Sequence, residues 1–340
     1  MSTDRKDEHL SIILEQRHRK TSKTTGLEAI EFIHCALPEF DYADIRLDTS
    51  FLGKRISAPL LVSAMTGGAN RAATINANIA RACEAIRLPF AVGSQRVALE
   101  GGDNGGLDRS LRAFAPSVPI LANLGAAQFN LGFGSEEARR AVEMIDADAL
   151  YIHLNPLQEA VQPEGNRNWS GLFDKIVSIA DALDVPVAVK EVGFGISAEL
   201  AQRFCEAGIQ IIDVAGAGGT NWATVEAARS NNKQRARLAT TFAGWGISTA
   251  DAILASRKAC PNATIIASGG ITSGVDIAKA IRLGADLAGS AAGVLTAANE
   301  SVGALTGFLE LVIEELKIAC FCTGSKDLDA LRSAPLQSCA

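Results

Sequence analysis

The chain has 340 residues, of which 48 % are hydrophobic and 21 % charged, with a net charge of −6. No apolar run reaches the roughly 18 residues that span a bilayer, and an acidic balance lacks the basic excess of a nucleic-acid surface, so neither membrane nor nucleic acid is an expected partner. The charged start (MSTDRKDEHL) lacks the apolar middle of a secretion signal, and the seven cysteines show no framework spacing, which predicts a cytoplasmic protein with reduced thiols; Cys320 and Cys322 are the only close pair.

Residues 1–57 are charge-rich and show one amphipathic stretch, Ser22 to Leu37, with little strand character. They read as an N-terminal extension carrying a basic cluster of Arg5, Lys6 and His9, for which a solvated tail is the plainer reading. From Ala58 a rhythm begins. Strand-length apolar runs fall at Pro59 to Ala64, Pro89 to Gly93, Pro119 to Leu124 and Ala149 to Asn155, then Pro186 to Glu191, Ile209 to Ala215, Ala263 to Ser268 and Leu287 to Ala291. Runs of helical period separate them: Ala72 to Ile86, Glu136 to Ile145, Leu172 to Leu183, Ala198 to Ala207 and Val275 to Leu283. Such alternation predicts an α/β fold with a parallel sheet, and eight units predict a TIM (β/α)8 barrel over 58–319. The interval after the sixth strand is too long for one crossover. Trp222 to Arg229 reads as a helix, Ser230 to Ser248 as an inserted loop and Thr249 to Lys258 as a second helix. A helical run, Leu305 to Ala319, and a tail, 320–340, close the chain.

Each strand runs into polar or glycine residues at its C-terminal end. In order these are Met65-Thr66-Gly67-Gly68, Ser94-Gln95-Arg96, Asn123-Leu124-Gly125, His153-Leu154-Asn155 with Gln158 and Glu159, Lys190-Glu191, Gly216 to Thr220, Ser268-Gly269-Gly270 and Gly289-Ser290-Ala291. In a barrel these ends share one mouth, where catalysis takes place. Residues two apart share a strand face, so Tyr151, His153 and Asn155 point one way and Leu150, Ile152 and Leu154 the other. Three of the final ends are glycine-rich, which lets backbone N–H groups approach an anion; tight turns are the alternative, and three loops together favour a phosphate. Gly193-Phe194-Gly195-Ile196-Ser197-Ala198 imitates a dinucleotide fingerprint, but it sits inside a repeating series and Ser197 serves as a helix N-cap, so a Rossmann reading is rejected.

Lys190 shares a face with Ala188 and would point into the barrel, where a lysine is costly unless paired. It reads as a cation held against a cofactor's negative charge or as a Schiff-base amine, against the alternative of a salt bridge to Glu191. Glu159 could hold Mg²⁺ together with substrate phosphates, although a solvated loop glutamate is the plainer reading taken alone. Arg96 is well placed to meet an anion. Trp222 and Trp245 read as packing or lid residues.

Taken together, these pieces resemble the type 2, flavin-dependent isopentenyl diphosphate isomerases. The resemblance rests on Arg5-Lys6-x-Glu8-His9-Leu10, Met65 to Gly68, Gly93 to Arg96, Asn123 to Ala126 and His153 to Glu159. It continues through Gln162 to Gly165, Val189 to Gly193, Gly218 to Trp222, Trp245-Gly246, Ser268 to Ile271 and Ser325-Lys326-Asp327, in order along most of the chain. It implies an FMN-binding barrel that interconverts isopentenyl and dimethylallyl diphosphate with reduced FMN, Mg²⁺ and NADPH as reductant, without net redox change, as a homo-tetramer or homo-octamer. Carried over by position, FMN would meet Ala64, Met65, Thr66, Ser94, Asn123, Lys190, Thr220, Gly270, Ile271, Thr272, Ala291 and Ala292. The diphosphate would meet Arg5, Lys6, Ser94, Gln95, Arg96 and Gln158, and Glu159 would hold Mg²⁺. His153, Asn155, Gln158 and Lys190 would be the catalytic set. Many relatives carry Arg where Thr272 stands here, which removes a side-chain cation while leaving a backbone for the phosphate. No pair of carboxylates is evident in the mouth, so the reduced flavin's N5 is the simplest acid and base for the allylic shift. The rivals are a flavin oxidoreductase of the hydroxy-acid oxidase or dihydroorotate type and a non-catalytic barrel that only binds a phosphorylated ligand.

Overall fold

The computed structural model describes residues 8–9, 11–12, 15, 23–65 and 70–337. Strands β1 (Thr49–Phe51) and β2 (Lys54–Ile56) form an antiparallel hairpin. Eight further strands follow: β3 (Leu60–Val62), β4 (Phe90–Ala91), β5 (Ile120–Gly125), β6 (Ala149–Leu154), β7 (Val187–Glu191), β8 (Ile211–Asp213), β9 (Thr264–Ser268) and β10 (Leu287–Ser290). They pair in sequence order, all parallel, and β10 returns to β3 to close a barrel. All eight strand runs read from the sequence are present, with ends that differ by a residue or two.

Alternation along each strand divides the core in two. Leu60, Val62, Leu150, Ile152, Val187, Val189, Ile212 and Ile265 face outward and pack beneath the helices. Leu61, Ala91, Leu121, Tyr151, Ala188, Ile211, Ile266 and Leu287 face inward and fill the lumen with Phe51 and Ile56. The β1–β2 hairpin therefore plugs the N-terminal end of the barrel. Its two-residue loop has Leu52 at φ 49° and Gly53 at φ 74°, a turn with both central residues left-handed that matches the strand twist. The sequence reading missed this hairpin, because Leu52-Gly53 is a weak turn signal beside Asn-Gly or Asp-Gly.

The expected helices are found at Asn70–Ile86, Ser135–Ile145, Leu172–Ala182, Ala198–Glu206 and Gly274–Arg282. Trp222–Arg229 and Thr249–Ala259 also match. Three expectations change. The insertion read as a loop contains a helix, Lys233–Thr241, whose N-cap Asn232 accepts hydrogen bonds from the N–H groups of Gln234 and Arg235. Of the amphipathic stretch Ser22–Leu37, the described part holds only a short 3-10 turn, Leu27–Ala29. Finally, the last long helix, Val302–Cys322, runs through the boundary expected at 319. The two chain ends are zipped together outside the barrel: Phe32 bridges Leu336, Arg46 bridges Asp327, and the Cys35 N–H donates to Cys322 O. Among the described residues every cysteine is free, and no helix is long and apolar enough to cross a membrane.

Candidate active site

One step above the apolar lumen, the inward positions turn polar. Two residues on from Leu61, Leu121, Tyr151, Ala188, Ile211, Ile266 and Leu287 stand Ser63, Asn123, His153, Lys190, Asp213, Ser268 and Gly289. Strand period two makes them one ring. Above it opens a cavity of about 780 Å³, lined from every part of the C-terminal mouth. That volume suits a cofactor-sized ligand.

From β5 to β7 the wall is built of side chains. Asn123 Nδ2 donates to Val92 O at 3.0 Å, so its Oδ1 faces His153 Nδ1 at 2.9 Å and holds the imidazole proton on Nδ1. Gly125 makes room for that ring, since a Cβ there would sit 2.8 Å from His153 Nε2. Past β6, Asn155 Nδ2 donates to Gln158 Oε1 and to Glu159 Oε1, both at 3.1 Å. Glu159 Oε2 accepts from Gln162 Nε2 (2.9 Å) and from the Asn166 N–H (2.6 Å). Lys190 is buried, and its Nζ donates to the Glu191 carbonyl.

Within the ring, Asp213 is fully buried, accepting from Tyr151 OH at 2.9 Å and Ser268 Oγ at 2.5 Å. Burial pushes its carboxyl up, against the pull of Lys190 and the two hydroxyls. Glu191 does not pair with Lys190 through its side chain. It points behind the sheet, where its Oε2 accepts from the N–H groups of Val192, Gly193 and Phe194 at 2.6, 2.8 and 2.6 Å. Burial nevertheless pushes its carboxyl up to about 7.

From β8 to β10 the wall is built of backbone. A Cβ on Gly219 would lie 2.4 Å from Gly270 N, one on Gly269 2.1 Å from Gly216 O, and one on Gly289 2.3 Å from Ser63 Oγ. Only glycine allows these turns to nest together. The helix Ala292–Glu300 starts at the mouth with no side-chain cap on its N-terminus, which leaves first-turn N–H groups to an anion. The helix Gly274–Arg282 differs: Asp276 Oδ2 takes the N–H groups of Thr272 and Ser273, both at 3.0 Å, and the Thr272 hydroxyl. The backbone of Thr272, expected to serve a phosphate, is thus occupied by a carboxylate.

The remaining expected residues sort cleanly. Ala64, Met65, Ser94, Arg96, Asn123, His153, Asn155, Gln158, Glu159, Lys190, Thr220, Gly270, Ile271, Thr272, Ala291 and Ala292 all line the cavity. Arg5, Lys6 and Thr66 lie outside the described residues. Gln95 does not reach the cavity: it is fully buried, its Oε1 accepting from the Asn123 N–H at 2.9 Å and its Nε2 donating to Ala141 O at 2.8 Å. With both amide ends spent it can only brace Asn123.

Two groups were missed. Trp222, read as packing, lines the mouth and meets His9 edge-on, with ring centroids 5.3 Å apart. Glu226 is buried and accepts from Gln158 Nε2 at 3.2 Å, from Arg229 Nε at 3.0 Å and from His9, whose Nε2 lies 2.9 Å away. Burial raises its carboxyl, but His9 and Arg229 outweigh this and hold it below the ordinary range. Glu226 is thus linked to Glu159 through Asn155 and Gln158, and it stands behind the lining, on which Glu28, Glu159 and Glu164 are the carboxylates. Helical spacing of Glu226 from Trp222 was the available signal.

Among the described residues no cluster of three His, Cys, Asp or Glu side chains could hold a metal alone. Glu159 on the cavity wall suits Mg²⁺, which is held through one or two carboxylates plus substrate phosphates. Ser63 Oγ, Gln128 Oε1 and Asn155 Oδ1 are buried polar atoms without hydrogen-bond partners, and all three residues line the cavity. Such atoms call for a ligand or water, and with the glycine cradle they fit a flavin.

Comparison with known proteins agrees. The FMN-dependent dehydrogenase family profile matches residues 153–338. Solved structures of mandelate oxidase share the fold; one bound to (S)-2-phenylpropionate has a TM-score of 0.66 at 20 % identity, covering 97 % of this chain and 93 % of that one. An isopentenyl-diphosphate delta-isomerase of Stutzerimonas stutzeri is 55 % identical over 98 % of this chain and 96 % of its own length. Another from Xanthobacter autotrophicus is 53 % identical over the same shares. The chain belongs to the isopentenyl-diphosphate delta-isomerases, in their flavin-dependent, type 2 class.

Proposed function

We propose that this protein interconverts isopentenyl and dimethylallyl diphosphate at the barrel mouth, with reduced FMN and Mg²⁺. The observation that carries this reading is the two-walled cavity: a backbone cradle suited to a phosphate beside a side-chain wall of Asn123, His153, Asn155, Gln158, Glu159 and Lys190. Reduced FMN, when bound, supplies the proton transfer at the allylic carbons. Lys190, buried on the floor, stabilises negative charge on the reduced ring. His153 keeps its proton on Nδ1 through Asn123 and presents Nε2 as an acceptor to substrate or ring. Asn155 and Gln158 orient the diphosphate end, and Glu159 holds Mg²⁺ on it. Arg96, with Arg5 and Lys6 of the 1–57 extension, offsets the diphosphate charge. NADPH serves as reductant, and the chain works in isoprenoid synthesis in the cytoplasm as a homo-oligomer.

The test is anaerobic incubation of the purified protein with FMN, NADPH, Mg²⁺ and isopentenyl diphosphate, followed by product analysis. Dimethylallyl diphosphate should form without net flavin oxidation, and replacing FMN by 5-deazaFMN should abolish turnover while leaving binding intact. Oxygen consumption or dye reduction with a 2-hydroxy acid, and no isomerisation, would instead make it an oxidoreductase. A purified protein that takes up no flavin and stays colourless would favour the binding-only barrel.

A further inference from the structure

We propose that Lys23 is the cation that neutralises the terminal phosphate of the flavin, an assignment that rests on the FMN reading above. A phosphomonoester set among the β8–β10 turns needs positive charge, and that wall contributes none from its own side chains. The helix Gly274–Arg282 cannot supply it either, because Asp276 occupies the Thr272 and Ser273 N–H groups. Among the described residues, the permanently charged cations lining the cavity are Lys23, Arg96 and Lys190. Lys190 lies on the floor with its ammonium drawn to the Glu191 carbonyl. Arg96 follows β4, separated from β10 by β3. Lys23 alone belongs to a segment laid directly on the glycine turns. A Cβ on Gly218 would meet Thr25 N at 2.3 Å and Thr24 C at 2.6 Å, and one on Gly270 would meet Thr25 Cγ2 at 2.5 Å.

That segment is anchored on three sides. Thr25 O accepts from the Ala250 N–H at 2.9 Å, Thr25 Oγ1 accepts from the Leu27 N–H at 3.2 Å, and Lys279 Nζ donates to Leu27 O at 2.9 Å. Glu28, the carboxylate on the same rim, is held by Thr25 Oγ1 at 3.1 Å. The segment therefore closes the cradle over the glycines and brings the half-buried Lys23 with it. This chain has no cationic side chain at Thr272, and Lys23 supplies the charge from the opposite side of the turns.

The experiment titrates the flavin-stripped full-length protein with FMN and with riboflavin, which lacks the phosphate, following flavin fluorescence. Lys23→Ala should weaken FMN binding by about tenfold to a hundredfold, the range of one charged hydrogen bond, and leave riboflavin binding unchanged. Lys23→Arg should bind FMN like the wild type. Added salt should weaken FMN binding less in Lys23→Ala than in the wild type. Equal losses for both flavins in Lys23→Ala would assign Lys23 to packing of the 23–28 segment and overturn the proposal, as would no loss for either. A wild-type protein that binds neither flavin would sink the FMN reading itself, and the proposal with it.

Discussion

The two walls of the mouth are made of different material. Between β5 and β7, the cavity is faced by side chains tied to one another: Asn123 to His153, Asn155 to Gln158 and Glu159, Gln158 to Glu226. Between β8 and β10, it is faced by glycine backbone packed closely enough that a methyl group finds no space. One wall selects by chemistry and the other by shape. Substitutions should therefore fail differently on the two sides. A change on the backbone wall should cost cofactor and stability together, whereas a change on the side-chain wall should cost rate with cofactor retained.

The largest effect should come from Gly269→Ala. Its φ is +99° and the new Cβ would press on Gly216 O and N at 2.1 and 2.6 Å, both backbone atoms that cannot rotate away. A non-glycine residue forced into such a region costs on the order of 1–3 kcal/mol before the clash is added. The variant should unfold earlier in urea and purify without flavin absorbance. Full flavin content would show that the cradle can open, and the contrast between the walls would collapse.

On the other wall, His153→Asn should keep flavin and fold. Losing the Nδ1 contact to Asn123 and the group that faces the ring should lower kcat by about a hundredfold, the scale of a misplaced reacting group. KM should move little. Loss of flavin in this variant would mean that the side-chain wall also carries the cofactor. A smaller, conditional effect is expected at Glu159→Gln. The amide keeps an acceptor for Asn166 but loses the charge, so the Mg²⁺ concentration for half activity should rise about tenfold or more. An unchanged Mg²⁺ titration would remove Glu159 from the metal site.

How much of this could be read from the chain follows the same division. Every barrel strand was visible, because each is a short apolar run closed by polar or glycine residues, and the residues of both walls fall where that rhythm places them. What escaped depends on partners distant in sequence. Gln95 looked like a ligand because it follows a strand, yet its amide braces Asn123 from behind. Glu226 was only one residue within the Trp222–Arg229 helix, and the fold brings Gln158 and His9 to it beside Arg229. The β1–β2 plug was invisible because its apolar residues, Phe51 and Ile56, find their neighbours only once the barrel closes. Thr272 kept its expected place but not its expected freedom, since Asp276 four residues on claims its N–H.

The mildest test concerns the back of the side-chain wall. Glu191 sits one residue past Lys190 and faces away from the cavity, its carboxylate clasped by three N–H groups that shape the Val192–Phe194 turn. Two effects oppose each other there: the N–H groups favour the anion, and burial disfavours it. Burial prevails, raising the folded-state carboxyl from 4.5 to about 7. Between those limits the folded protein holds a proton that the unfolded chain has released. Its stability from this group is therefore complete at low pH and declines as pH rises from about 4.5 to 7, by at most about 3 kcal/mol. Glu191→Gln has no such proton to lose. Its urea midpoint, compared with wild type, should gain on going from pH 5 to pH 8, while Lys190 and the flavin are left in place. If the difference between the two midpoints instead stays constant over that range, the three N–H groups outweigh burial. Glu191 would then be an anion throughout, and a second charge would stand behind Lys190.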